Sequence, residues 1–268
     1  MRAKRNRHKS EPCAMITNDG AKSLYVRTDI SYRRIPIGLV AASFFALVGT
    51  TIARTQQLDI TAAIALVDEA AKDRIDHIAG YTVTEHYAVY RGGDEVHPAA
   101  EMMVNTTYRH DSGKSYAIVS QTGSEILQRL VLGSILDSER TINLPGIREG
   151  AWITSANYVF KLKPGGTQLV DGRDCILLAM IPRRKAPYLI EGTLWVDSRD
   201  GSIVQVQGTA SKSSSFLTGP ALVVRKYANV GGYPQATHVR AASDSHLFGQ
   251  TIVKIDYQNY DVQPRPPL

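Results

Sequence analysis

Apolar and polar positions divide the chain into a periodic helix, a set of alternating segments, a second helical block and a longer alternating run. Ile60, Ile64, Val67, Ala71, Ile75 and Ile78 recur at helical spacing, with Asp68, Glu69, Lys72 and Asp73 between them. That pattern predicts one amphipathic helix over residues 59–79. Asp59 is placed to cap it and Gly80 to stop it. Strict alternation then predicts a strand over Tyr81–Tyr90, with Tyr81, Val83, Tyr87 and Val89 on one face. Strands follow at Glu101–Arg109 and Ser115–Gln121, separated by turns at Gly92-Gly93 and Asp111-Ser112-Gly113.

A second helical block starts at Ser124, with Ile126, Leu127, Leu130, Val131 and Ile135 as its apolar stripe, and is broken by Leu144-Pro145-Gly146. About seven strands are predicted beyond it. Asn157–Leu162 turns at Pro164-Gly165-Gly166, and Asp171-Gly172 turns into Asp174–Ile181. Tyr188–Val196, Ile203–Gly208, Leu222–Asn229, Thr237–Leu247 and Thr251–Asp261 complete the series. Connections this short imply an antiparallel meander. So many strands in one sheet must twist and curl, and the helices must cover its apolar face. The expected fold class is α+β, a curled antiparallel sheet forming an incomplete barrel with helices over its concave face. Gln263 to Leu268 is Pro-rich and is expected to be disordered or draped.

The pattern before residue 54 is different. Residues 1–34 form a basic arm with nine Lys and Arg against three acids, so they hold the whole net charge of +6 and leave the remainder neutral. A charge-free run, residues 35–53, follows Arg33-Arg34 and ends at Arg54. Basic region, short apolar stretch and small residues before a cut make an export signal, with cleavage before Arg54. The run is also long enough to span a bilayer, so an uncleaved anchor is the alternative. Both place the basic arm in the cytoplasm and the body outside it. Met15 is an alternative start. A neutral body without a basic face excludes nucleic acid as a partner class. Cys13 precedes the apolar run, and Cys175 lies in a run that reads as a buried strand, so no disulfide framework exists in the body.

No nucleophile elbow or zinc-helix motif is present, and Gly113-Lys114-Ser115 lacks the earlier Gly of a phosphate loop. His77, His86, His97, His110, His238 and His246 are scattered and form no ligand pair in sequence. Asp197 and Asp200 read as turn residues, and Arg183-Arg184-Lys185 as a solvated basic turn or an anionic-lipid contact. The expectation is a non-catalytic chain with no cofactor and no metal.

Several phrases carry a resemblance. They are residues 116–124 (Tyr116 to Ser124) before the helical block, Gly192 to Asp197 with Asp200 to Val204 at a hairpin, Gly231-Gly232-Tyr233-Pro234, and Ile255-Asp256-Tyr257 in the last strand. Over about residues 58–262 the chain resembles the LolA-like superfamily of periplasmic lipoprotein carriers, among them bacterial LolA-like proteins of unassigned role. The resemblance implies a half-barrel closed by helices over a hydrophobic cavity, an acyl chain or lipid as ligand, and a lipoprotein-transfer partner in the inner or outer membrane. Some such carriers use a strand arginine to hold the closed state; the sequence places no equivalent here.

The function expected is an exported periplasmic carrier or chaperone of the outer membrane lipoprotein-sorting type. The alternative is a membrane-anchored, non-catalytic binding or sensor module. By alternation, the cavity lining would be Val83, Val104, Ile118, Leu177, Leu194, Val204, Val253 and Ile255.

Overall fold

The computed structural model describes residues 59–212, 221–245 and 249–265. The basic arm (residues 1–34), the apolar run (residues 35–53) and the last three residues lie outside them. Helix α1 (Ile60–His77) begins at Asp59, whose side chain accepts a hydrogen bond from the Thr61 amide at 2.8 Å. It passes without a break into β1 (Ile78–Arg91). Gly80 is therefore not the helix stop expected from sequence. It lies inside β1, where a β-carbon would stand 2.5 Å from the Tyr108 carbonyl oxygen of the neighbouring strand, so glycine serves a close approach of two strands there.

Strands β2 (Ala100–Arg109) and β3 (Gly113–Gly123) follow as hairpins. The second helical block is segmented. It comprises α2 (Glu125–Leu127), a π-helical stretch (Gln128–Gly133) and α3 (Ser134–Ile142). A short 3-10 turn (Arg148–Ala151) leads to seven further strands. These are β4 (Tyr158–Val170), β5 (Arg173–Pro182), β6 (Ile190–Asp197), β7 (Ile203–Ala210), β8 (Leu222–Val230), β9 (Tyr233–Ser245) and β10 (Gly249–Pro264).

Two boundaries differ from the sequence pattern for physical reasons. Pro164-Gly165-Gly166 does not end a strand. Instead the β4–β5 ladder slips between Leu162/Leu178 and Thr167/Ile176, and β4 continues. Because β4 is an edge strand, a proline without an amide is tolerated in the irregularity. The Pro-rich end also belongs to the sheet in part. Gln263 and Pro264 extend β10 beside Gly80 and Ile78, and the Arg265 amide donates to the His77 carbonyl.

Among the described residues, ten strands form one sheet in the order β3-β2-β1-β10-β9-β8-β7-β6-β5-β4, and every neighbouring pair is antiparallel. The sheet does not close, since β3 and β4 remain edges. This is the α+β incomplete barrel expected. At Asp171-Gly172 both residues have positive φ, as a two-residue turn matching the strand twist requires. Gly192 and Gly208 sit opposite each other on β6 and β7. A β-carbon on Gly192 would strike the Gln207 carbonyl, and one on Gly208 the Glu191 carbonyl, so side chains are excluded where these strands are most closely apposed.

Two core clusters cover the sheet. Ala63 and Val67 of α1 pack with Tyr158, Phe160, Leu178 and Leu194. Leu127, Leu132 and Leu136 of the second block pack with Tyr87, Met102, Val253 and Ile255.

Candidate ligand-binding face

Residues directly opposite in adjacent strands share a face of the sheet. Following the register across all ten strands gives one continuous row: Leu162, Leu178, Leu194, Val206, Arg225, Val239, Ile255, Tyr87, Met102 and Gln121. Seven of its members, Leu178, Leu194, Val206, Val239, Ile255, Tyr87 and Met102, are buried. The row joins the two clusters, so α1 and the α2–α3 block cover the same face of the sheet, α1 over the β4–β7 side and the second block over the β1–β2 and β10 side.

Arg225 is the one charged member of that row. A third of its side chain reaches solvent, while its Nε is shielded and lacks a hydrogen-bond partner. Its Nη2 lies 3.6 Å from Glu139 Oε1 of α3, and Lys114 Nζ of β3 donates to Glu139 Oε2 at 2.8 Å. Burial pushes the Glu139 carboxyl up, but Lys114 and Arg225 outweigh it and hold it at about 2. Burial likewise opposes the Lys114 ammonium, yet Glu139 and the surrounding acidic groups raise it well above its ordinary value. One carboxylate thus ties the helical cover to both β3 and β8.

Beside this clamp lies a buried Glu85, opposite Val104 on β2 and Tyr257 on β10. The Tyr87 hydroxyl donates to Glu85 Oε2, while Glu85 Oε1 has no partner. Burial, with the adjoining carboxyl, pushes the Tyr87 phenol far up. The Thr106 and Tyr116 hydroxyls, opposite each other on β2 and β3, are also shielded and unpartnered. A second anchor holds the π-helical stretch. Gln128 Nε2 donates to the Glu101 and Thr122 carbonyls, both at 2.6 Å. On the other half, the Ser155 amide and hydroxyl bond the Asp68 carboxylate of α1 at 2.8 and 2.5 Å.

The residues expected to line a cavity do not fall together. Val104, Val253 and Ile255 are buried beneath the α2–α3 block, Leu194 beneath α1, and Val83 beside Ile78 and Tyr81. Leu177 and Val204 pack with Cys175 and Trp195 on the opposite face. Leu177 is one residue out of phase with Leu178, and Val204 is the extra residue where the β6–β7 register slips from Trp195/Gln205 to Val196/Ile203. Ile118 stands opposite Val104 but on the edge strand, where 52% of it is exposed. In this structure the helical side chains lie directly on the sheet.

Sequence reading missed Arg225, Glu85 and Glu139. For the first two a signal existed. Glu85 has the strand parity of Val83 and Tyr87, and Arg225 that of Val223 and Tyr227, so each is a charge in an apolar position. Among the described residues no group of three or more His, Cys, Asp or Glu could hold a metal ion, and no helix is long and apolar enough to cross a membrane.

No family model matches the chain, and no curated protein matches it. It is similar in fold to several solved structures. One is a LolA superfamily protein from Nitrosomonas europaea, with 12% identity over 78% of this chain and 96% of that one and a TM-score of 0.42. A second, a domain named for outer membrane lipoprotein sorting from Vibrio parahaemolyticus, has 13% identity over 76% and 94% and a TM-score of 0.45. A third is a DUF1329 family protein from Desulfovibrio piger, with 14% identity over 76% and 93% and a TM-score of 0.40.

Proposed function

We propose that this chain is an exported carrier or chaperone that holds lipid or lipoprotein acyl chains against the covered face of its sheet, working in the periplasm in lipoprotein sorting. The observation that carries the reading is the cross-strand row, apolar from Leu162 to Met102 save for Arg225, covered by two separate helical segments rather than by a second sheet. A face so covered exchanges helix side chains for an alkyl chain at little net loss of buried area, and each methylene buried is worth about 0.8 kcal/mol. Export rests on the basic arm and apolar run that precede Arg54. Lipoprotein-transfer proteins of the inner or outer membrane are the partners this reading implies.

The test is titration of the purified, delipidated chain with a fluorescent fatty acid. Saturable binding is expected, and its absence ends the carrier reading. Mass spectrometry of the protein from cell envelopes is expected to find Arg54 as the first residue; a retained apolar run would instead make it a membrane-anchored binding module.

A further inference from the structure

Glu85, Thr106, Tyr116 and Tyr257 stand side by side on the covered face of β10, β1, β2 and β3. Glu85 is directly opposite Tyr257, Thr106 is directly opposite Tyr116, and Thr106 lies diagonally beside Glu85. Glu85 and Thr106 are each only 1% exposed. Three groups in this island have no hydrogen-bond partner: Glu85 Oε1, the Thr106 hydroxyl and the Tyr116 hydroxyl. Such groups are almost always satisfied in a folded protein, by the protein, by water or by a ligand. An island of them within an apolar face is a polar socket.

We propose that this socket receives the uncharged, hydroxyl-bearing head of an amphiphile of the monoacylglycerol class, with its alkyl chain laid along the neighbouring apolar row. The inference rests on the carrier reading and adds the head to the tail. The charges decide the class. Lys114 and Arg225 both pair with Glu139, and with Glu85, which accepts from the Tyr87 hydroxyl, the cluster holds two carboxyl groups against two cations. A carboxylate, phosphate or ammonium head would bring an unmatched charge out of water. A hydroxyl donates to the free Glu85 oxygen and accepts from, or donates to, the Thr106 and Tyr116 hydroxyls. A vicinal pair of hydroxyls satisfies the three groups together. Met102, Val104 and Tyr87 adjoin the socket, so the chain leaves it without crossing a polar boundary.

The experiment displaces a fluorescent alkyl probe from the full-length, delipidated chain with three palmitoyl compounds: the glycerol monoester, the methyl ester and free palmitate. The glycerol ester should bind about tenfold tighter than the methyl ester. In the double variant Thr106→Val with Tyr116→Phe that preference should vanish while the methyl ester still binds saturably. The variant removes two unpartnered hydroxyls, so its melting temperature should not fall, and a matching circular dichroism spectrum certifies the fold. Equal affinity of the two esters in the wild type, or a preference that survives in the variant, overturns the inference and leaves an ordered water as the occupant of the socket. Tightest binding of palmitate overturns it in favour of an anionic head. Failure of the probe itself to bind removes the carrier reading, and the head site falls with it.

Discussion

Arg225 of β8 and Glu139 of α3 approach to 3.6 Å across the gap between sheet and cover, and Lys114 of β3 completes the contact from the other side. The three residues join the edge of the sheet, its centre and the helical block through a single carboxylate. Removing that carboxylate takes away the ion-pair partner that Lys114 and Arg225 share.

Glu139→Gln is therefore expected to cost about 2–4 kcal/mol in denaturant unfolding, below the full penalty of breaking a buried pair because Arg225 is partly solvated. The companion variant Glu139→Gln with Lys114→Met should recover part of the loss. A double variant as unstable as the single would show that the clamp is not the cause.

The same carboxyl gives a pH dependence. Its folded value of about 2 lies below the ordinary 4.5, so the stability it contributes is present above pH 4.5 and is lost as pH falls toward 2. Wild type and Glu139→Gln should converge in stability over that interval. Parallel curves would place the acid sensitivity in other carboxylates.

Gln128 holds the π-helical stretch to the carbonyls of Glu101 and Thr122. Gln128→Ala removes both bonds, at a cost of about 0.5–1.5 kcal/mol each. Hydrogen exchange should quicken across Ser124–Gly133 while the amides of β6 and β7 keep their protection. Uniform quickening would mean global destabilisation, not release of a cover.

Gly208→Ala places a β-carbon against the Glu191 carbonyl, which the two strands cannot yield without separating. Overpacking of this kind costs about 1–3 kcal/mol, and more where backbone is the obstacle. A fall in melting temperature larger than that of Gly172→Ala, whose β-carbon meets nothing within 4 Å though its φ is +76°, is the expected result.

Cys175 is fully buried, its Sγ lies 3.4 Å from the Arg173 carbonyl, and burial pushes its thiol up. It should resist alkylation in the native protein and react on unfolding, as peptide mapping at that residue would record. Rapid native labelling would place β5 in an environment unlike the one described.

Element order and fold class were legible because periodicity changes sharply between segments. The alternation of Val83 and Tyr87, or of Val253 and Ile255, suffices to place a face. What failed to show were effects of partner strands. Pro164 reads locally as a stop and is harmless only because β4 has one neighbour. Gly80 reads as a helix end because the close approach of Tyr108 is invisible in sequence. Val204 lands on the far face because the β6–β7 bulge shifts its phase by one. Glu85 and Arg225 carry charge in apolar phase, and only the Tyr87 and Glu139 contacts explain how it is tolerated.

The pairing of β1 with β10 along nearly the whole of β1 sets the order of assembly. The first strand to emerge waits for the last, so the β1–β3 and β4–β9 pieces form separate ladders with an open seam until the C-terminal segment arrives. Contacts of such high sequence separation make folding slow. Until then the unpaired edges of β1 and β9 stand open beside those of β3 and β4, and such edges are templates for association that a bound chaperone or a prompt release of the C-terminus would protect.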